Sequence, residues 1–412
     1  MRVRGTHLLV LISMCGLIAS GVGLLTNVAG LFFSPIMEEL TISKGSVSLT
    51  LTICNIAFAL GGMITPRLLN EQNLKIVIIA ATALVAGATA ALGLCHSIVT
   101  MYILSAVRGF AAGCVGMVFA TTVVGNWFKS GLGLVTSITF GFSGIAGAVF
   151  SPIISAVIGG MGWRGAYFVT AVIIVLLNIP AILFVPSLDP RSKGLLAYGD
   201  EGKVTARGAK KASFKRANSG AVSGVAFLLV FAYAVICSGL TGLPQHFPGM
   251  ADTFGFAAAG ATMLSVCMVA NTCGKIALGA LVDRIGARIS CLIFCALIVL
   301  GLLLFIVVPR PFTLILGAVL FGLCYSLATV GISMLTRAVF GDANYERVYP
   351  TMSLGGNVAN AVFSSIIGFM YDFSGGYMLT LWVMLAMTVI TAVLVVMAYA
   401  VKPNASPRTR VS

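Results

Sequence analysis

The chain has 412 residues, of which 59% are hydrophobic and 9% are charged, and its formal net charge is +14. Soluble domains carry about a quarter charged residues, so this composition excludes a soluble globular protein. The positive balance does not indicate a nucleic-acid-binding protein, because the basic residues lie between apolar stretches and in one loop. The sequence therefore predicts a membrane protein.

Twelve apolar stretches, here named spans one to twelve, are each long enough for one bilayer crossing, which takes about 20 residues. Backbone groups inside a bilayer must form their hydrogen bonds within the chain, so we predict a helix for every span and an all-α membrane protein. In chain order the spans are 8–33, 46–66, 74–95, 98–126, 131–158, 165–186, 220–245, 257–282, 287–308, 312–336, 347–371 and 376–400.

Lys and Arg are distributed unevenly between the two ends of the spans. Twenty of the 25 fall on the side that carries the N-terminus, and three, Lys44, Arg164 and Arg310, fall on the other side. An excess of basic residues marks the cytoplasmic side of a membrane protein. We therefore predict a multi-pass protein of the cell membrane with both termini in the cytoplasm.

Two groups of six spans flank a basic loop and share a short repeat. Residues 148–154 (AVFSPII) in span five match residues 361–367 (AVFSSII) in span eleven, at an offset of 213. A parallel duplication of this kind places the substrate site between two six-helix bundles, near the middle of the bilayer. We predict an N-terminal bundle over 1–186, a basic cytoplasmic linker over 187–218 that acts as a flexible tether, and a C-terminal bundle over 219–412.

Arg108 and Lys275 are the two charged residues that fall inside the predicted spans and away from their ends. A charge in hydrocarbon costs at least about 2.5–3.5 kcal/mol, so such residues usually line a polar pathway. All eleven carboxylates fall at span ends or in loops, so neither cation has an acidic partner inside the membrane. We expect the missing partner to be a ligand, and that ligand to be an anion.

The loop between spans eight and nine contains a complete motif of the form G-x-x-x-D-R-x-G-x-R, and residues 62–67 keep only its glycine and arginine. This motif resembles that of the major facilitator superfamily, and the resemblance covers essentially the whole chain. It implies twelve transmembrane helices in two pseudo-symmetric six-helix bundles, with the loop acting as a conformational latch between the halves. The residues of this latch are Gly279, Asp283, Arg284, Gly286 and Arg288.

Residues 108–109 (RG) resemble the arginine signature that this superfamily carries in span four. Residues 125–128 (GNWF) and 162–164 (GWR) resemble the oxalate/formate antiporter and monocarboxylate transporter branch of that superfamily. In that branch a cation in span eight holds the substrate carboxylate, which implies this role for Lys275. Asn271 lies four residues earlier and shares its helix face.

Two differences from the branch narrow the range of expected substrates. Asn271 stands where many proton-coupled monocarboxylate carriers have an aspartate, and residues 353–360 lack the second lysine of oxalate antiporters. One cation for one carboxylate favours a monocarboxylate over oxalate. We therefore predict a secondary active transporter of a small organic anion that works with a proton, with a counter-anion or with neither. The identity of the carboxylate and the direction of flux stay open.

Further polar residues inside the spans are candidates for lining the substrate cavity, and each is equally suited to hydrogen-bonding neighbouring helices together. Arg108 is a candidate either for substrate contact or for a structural role. At the predicted outer mouth, His246 is a candidate for a gating role. The cavity candidates are Asn27, Tyr325, Asn357 and Asn360.

The main alternative is a major facilitator exporter of drugs or other amphipathic compounds. An enzyme is not predicted, because the acids are peripheral, the three histidines are scattered and the ten cysteines show no metal-ligand or redox spacing. We accordingly predict no catalytic residue, no metal and no cofactor. The expected form is a monomer that contacts the lipid bilayer and no nucleic acid.

Overall fold

The computed structural model describes residues 5–68, 70–130, 132–184, 187–199 and 223–401. Helices account for nearly all of this part of the chain, and its one β-type pairing is an isolated bridge between Phe128 and Tyr198. Most of the predicted basic linker, residues 200–218, lies outside the described residues.

The N-terminal half, here residues 5–184, contains the first six spans. Span one is an α-helix over Gly5–Ile18 that continues as a π-helix over Ala19–Asn27. Two short helices, Ala29–Phe32 and Phe33–Leu40, lead from it to span two. The remaining helices of this half are Lys44–Leu68 (span two), Leu74–Leu92 (span three), Ile98–Cys114 with Met117–Trp127 (span four) and Leu132–Leu183 (spans five and six).

Spans five and six are joined by a sharp break at Gly162. Its φ of 70° and ψ of 172° are non-helical, and a positive φ strains any residue other than glycine. The apolar stretch Val135–Leu183 has 49 residues, which make about 74 Å of helix and so more than twice the ~30 Å core of a bilayer. Eleven stretches of the described chain are long and apolar enough to cross a membrane. Because this one supplies two crossings, the fold has the predicted twelve spans.

The C-terminal half, here residues 223–401, contains spans seven to twelve. Span ten is interrupted: the helix Pro311–Phe321 is followed by a turn and by a π-helix over Leu327–Gly331. The helix Ile332–Ser374 then completes span ten and carries span eleven beyond a break at Gly341. The other helices are Gly224–Leu240 with Phe247–Thr253 (span seven), Ala259–Ile285 (span eight), Ala287–Val307 (span nine) and Met378–Ala400 (span twelve).

Spans two and four pack with their backbones in contact. A Cβ at Gly109 would lie 2.2 Å from the Cys54 carbonyl oxygen, and a Cβ at Gly113 would lie 2.1 Å from the Phe58 carbonyl oxygen. Small residues let membrane helices approach closely, which matters because lipid provides little hydrophobic drive for helix association. Neither glycine leaves room for a side chain.

The first part of the linker packs against the end of span four. The backbone N–H of Tyr198 donates to the Trp127 carbonyl at 2.8 Å, and the Trp127 indole N–H donates to the Ser187 carbonyl at 2.8 Å. We call this end of the molecule the linker end, and the opposite end, where spans one and two connect, the far end. Residues 187–199 are therefore anchored to the N-terminal half, which differs from the flexible tether that we predicted.

The two halves meet along two seams. Between spans two and eleven, the Thr52 hydroxyl donates to the Ala361 carbonyl at 2.5 Å and lies 2.6 Å from the Ser365 hydroxyl. Between spans five and eight, the Ser265 hydroxyl donates to the Ala148 carbonyl at 2.6 Å. Thr52 and Ser265 both lie nearer the far end of their helices than the linker end.

The same helix faces are exposed toward the linker end. On span two, Ile56 and Met63 continue the face of Thr52, and Met63 is 74% exposed. On span eleven, Leu354 and Val358 continue the face of Ala361 and are also exposed. The halves are therefore closed at the far end and separated at the linker end.

Candidate functional site

A lysine without a partner in the described protein lies in the middle of span eight. Lys275 precedes the last residue of its helix, Ile285, by ten residues, which places it about 15 Å from the linker end of that helix. The side chain is half-buried, and no residue that the structure describes forms an ion pair or a hydrogen bond with the ammonium. A cation at this depth is costly unless something else neutralises it.

Two further unsatisfied polar groups lie within one helical turn of Lys275 or against its chain neighbour Gly274, where span eight packs on span ten. Asn271 is 3% exposed, and its side-chain oxygen has no hydrogen-bond partner among the described residues. Ser326 is fully buried, its hydroxyl is also without a described partner, and a Cβ at Gly274 would lie 2.6 Å from it. Leaving a buried polar group unpaired costs about 1–3 kcal/mol, so two of them beside a free cation indicate a place for a polar ligand or water.

Asn27 lies at the junction of spans one, five and eight. Its amide donates to the Ser143 carbonyl at 2.9 Å. A Cβ at Gly147 would lie 3.0 Å from the Asn27 Cβ and 2.8 Å from the Met268 side chain. Since Met268 is one turn before Asn271, the structure brings Asn27 to the same seam as the candidate site. Its amide is already used for helix packing.

The other predicted cavity residues divide into bonded and unbonded side chains. Asn360 donates to the Thr241 hydroxyl, and the Tyr325 hydroxyl donates to the Thr241 carbonyl at 3.4 Å. Both therefore join spans seven, ten and eleven, which is the packing role that the sequence left open. Asn357 is exposed on span eleven, and no hydrogen bond is described for it.

Arg108 is buried inside the N-terminal half. Its side chain is 5% exposed, and its Nε has no hydrogen-bond partner among the described residues. The guanidinium lies near the Cys54 thiol and the Tyr167 hydroxyl, and the Tyr167 ring stacks on Phe32 at 4.2 Å. No described contact joins it to span eight. The structure therefore does not bring the two predicted cations together.

Trp163 and Arg164 form a structural anchor at the far end. Arg164 makes an ion pair with Glu39 at 2.9 Å, and the Trp163 indole N–H donates to the other oxygen of the same carboxylate. Arg164 also donates to the Gly93 and Cys95 carbonyls, just beyond span three. The bound guanidinium lowers the pKa of Glu39 below its ordinary value. Folding thus explains this string of residues without a role in substrate binding.

Comparison with known proteins identifies the family. The profile described as Major Facilitator Superfamily matches residues 15–311 and 265–411. The chain belongs to the Major Facilitator Superfamily. This membership makes it a multi-pass membrane transporter, and it agrees with the all-helical fold described above.

Two solved structures of transporters in this superfamily's fold are similar over almost their whole length. The nucleoside transporter NupG gives a TM-score of 0.68 at 15% identity, over 96% of this chain and 99% of that chain. A bacterial homolog of the human lysosomal transporter Spinster, inward-facing and unoccupied, gives a TM-score of 0.64 at 15% identity, over 97% of this chain and 96% of that chain. At such low identity these likenesses show the fold alone. Comparison with curated proteins gives no match.

The predicted superfamily latch is not engaged in this structure. Asp283, Arg284 and Arg288 are exposed, and no ion pair among the described residues includes them. Gly286 has a φ of 82°, which explains why the motif requires glycine at that position. Gly279 has open space around it. Because the linker ends of the halves are apart, the role of this loop as a latch stays a prediction.

Two residues of interest escaped the sequence analysis. Ser326 is one of several small polar residues in apolar spans, and no sequence signal separates it from the others. The charge pattern places Lys44 between spans on the side opposite the N-terminus, whereas in the structure it is the first residue of span two and is 2% exposed. A lysine that precedes an apolar run is typical of a membrane boundary, so its burial was not predicted. Arg108 and Lys275 are therefore not the only buried or half-buried cations of the helices.

Proposed function

We propose that this superfamily member is a secondary active transporter that moves a small organic anion, a monocarboxylate, across the membrane by alternating access. The observation that supports this proposal best is Lys275, a cation near the middle of span eight without a described partner in the protein. A substrate carboxylate would supply the missing negative charge. The opening between the halves at the linker end supports access to this region from that side.

The groups around Lys275 suit a carboxylate. The ammonium offers three hydrogen-bond donors, and the unpaired Ser326 hydroxyl offers another. Asn271 has both donor and acceptor atoms on its amide, and one of these atoms is unsatisfied. Because lysine is a point charge and not a planar fork, it does not require bidentate geometry of its partner. This tolerance favours small carboxylates of varied shape.

Span eight has no acid beside Lys275 that could carry a coupled proton. Asn271 occupies the position one turn before the cation, and an amide does not titrate in the physiological range. The acid of this helix, Asp283, lies at its exposed linker end. A transported proton would therefore travel on the substrate itself or on a group elsewhere in the protein.

The experiment is uptake into proteoliposomes of labelled lactate, pyruvate, formate and oxalate. Each substrate is measured with and without a pH gradient, and with and without counter-substrate inside. We expect uptake of at least one monocarboxylate above that of protein-free liposomes, and little uptake of oxalate. If none of the monocarboxylates enters and amphipathic compounds do, the exporter alternative replaces this proposal.

The proposed orientation places the linker end in the cytoplasm of the cell and the far end outside. It is supported by the predicted distribution of Lys and Arg along the sequence, in which 20 of the 25 fall on the side that carries the N-terminus. Reporter fusions after residue 200 and after residue 402 test it. Cytoplasmic signal from both is expected, and extracellular signal from either overturns the orientation.

A further inference from the structure

A buried lysine at the far end contacts aromatic rings of the other half of the molecule. The Lys44 ammonium lies 3.8 Å from the centroid of the Tyr371 ring and 5.1 Å from that of Tyr377. It also donates to the Tyr377 hydroxyl at 3.2 Å. No carboxylate of the described residues lies within ion-pair distance of it. The cation is therefore held by two tyrosines, at distances where a ring attracts a cation through its quadrupole.

The acid of the same region, Asp372, binds the backbone of span two. One oxygen accepts the backbone N–H of Lys44 at 2.8 Å, and the other accepts that of Gly45 at 2.7 Å. These are the first two amides of the helix, which have no acceptor within the helix. A negative charge at a helix N-terminus is also favoured by the helix dipole. An acid of span eleven thus caps a helix of the opposite half.

Close packing surrounds these polar contacts. A Cβ at Gly45 would lie 2.2 Å from the Phe369 ring. The Tyr377 hydroxyl lies 3.4 Å from Nδ1 of His246, whose Nε2 lies 2.8 Å from the Ser364 carbonyl. The cluster is therefore continuous from span two through span seven to span eleven.

We propose that Lys44, Asp372, Tyr371 and Tyr377 form the gate that closes the far mouth of the transporter. This inference rests on the proposed alternating access. The described contacts of the Lys44 ammonium and of the Asp372 carboxylate all cross from one half to the other, so the far end cannot open without breaking them. The gate holds the far end closed, and its strength sets how often that end opens.

The chemistry of the gate suits repeated opening. A direct Lys–Asp pair would leave two strong opposite charges to be separated at each cycle. Here the Lys44 ammonium contacts tyrosine rings, and the Asp372 carboxylate accepts hydrogen bonds from backbone amides. When the halves separate, water can solvate the ammonium and the carboxylate independently.

The test uses a reporter thiol at the seam below the gate. Ser365 is 3% exposed and faces Thr52 across the seam, so a Ser365→Cys thiol reacts with a bulky polar maleimide only when the far end opens. The labelling rate is measured in lipid nanodiscs, where both membrane faces are accessible and no substrate is needed. The protein without the reporter gives the background from the exposed native Cys273. This readout is independent of which solute is carried.

Asp372→Asn and Lys44→Met should each accelerate labelling of the reporter by roughly tenfold, the change that about 1.4 kcal/mol produces in an equilibrium. Tyr377→Phe, which removes one acceptor and keeps the ring, should accelerate it less. The matched control is Lys75→Met, at an exposed lysine of the linker end, which should leave the rate unchanged.

Unchanged labelling in both Asp372→Asn and Lys44→Met overturns the gate. If Lys44→Met does not fold, Asp372→Asn and Tyr377→Phe decide, because both retain the size and shape of the original side chain. Equal acceleration by Lys75→Met would also overturn it, since the effect would then reflect loss of any basic residue.

Discussion

Replacing Lys275 with glutamine removes the charge from the middle of span eight and changes little else. Lysine and glutamine have similar helix propensity, so the helix should be retained. No described acid depends on the ammonium, so the substitution should leave no carboxylate unpaired within the described protein. Folding should therefore be unaffected or slightly improved, because a charge that is costly to bury is lost.

The expected loss of affinity can be calculated from the interaction between the Lys275 ammonium and a bound carboxylate. Two unit charges about 4 Å apart interact by about 4 kcal/mol at an effective dielectric constant of about 20. Since about 1.4 kcal/mol corresponds to a factor of ten, losing this interaction lowers the affinity by at most about a thousandfold. The remaining donors, Asn271 and Ser326, cannot replace a full charge.

The assay compares initial rates and apparent KM for monocarboxylate uptake into proteoliposomes. Lys275→Gln should nearly abolish uptake at substrate concentrations that saturate the parent protein. Lys275→Arg should retain part of it, because the charge stays while its geometry changes. Lys75→Gln, at an exposed lysine, is the matched control and should transport normally.

Thermal unfolding of each variant separates loss of transport from loss of folding. The anion-binding argument would be refuted if well-folded Lys275→Gln took up carboxylate at a rate within about threefold of the parent protein. Such a small loss is far below the loss expected from removing the full charge interaction. The amphipathic-exporter alternative would then be favoured.

Three further predictions concern other parts of the structure. Asn271→Asp should change the pH dependence of transport, because it creates a buried acid one turn from Lys275; an unaltered pH profile of a folded variant would show that the two do not share a site. Gly109→Ala should destabilise by about 1–3 kcal/mol in thermal unfolding, because its Cβ would lie 2.2 Å from a carbonyl oxygen of span two; Gly125→Ala, with open space, is the control, and equal melting of the two would contradict the packing argument. Since the folded-state pKa of Glu39 is lowered, its ion pair should stabilise the protein above the ordinary Glu pKa of about 4.3 and lose this effect as pH falls through the lower folded value. Glu39→Gln should remove that acid-dependent part of the melting curve, and an unchanged curve would refute it.

The spans were predictable because apolar length and helix formation are physically linked in a bilayer. Even the joined helix of spans five and six fits, since Gly162 provides the break that the two-span prediction required. The glycine of the latch motif was predictable for a similar local reason, as Gly286 adopts a conformation that suits few other residues. Helix formation and backbone conformation of this kind are determined by residues that are close in the sequence.

Contacts between distant spans were not predictable in the same way. Asp372 caps a helix that begins 328 residues earlier, and nothing near either residue indicates the other. Asn360 and Asn271 are both amides in apolar helices, yet one bonds to Thr241 and the other keeps an unsatisfied oxygen. That difference depends on how each helix is rotated against its neighbours, which composition and spacing do not determine.

The backbone contact between spans two and four has a mechanical consequence. Because only hydrogen separates the Gly109 backbone from the Cys54 carbonyl, neither helix can slide along the other without a collision. The two helices should therefore move as one rigid body. Span two starts at Lys44 in the far mouth, and ten residues further along, about 15 Å into the protein, Cys54 lies beside Arg108. A displacement of span two at the far mouth should therefore also displace the buried arginine.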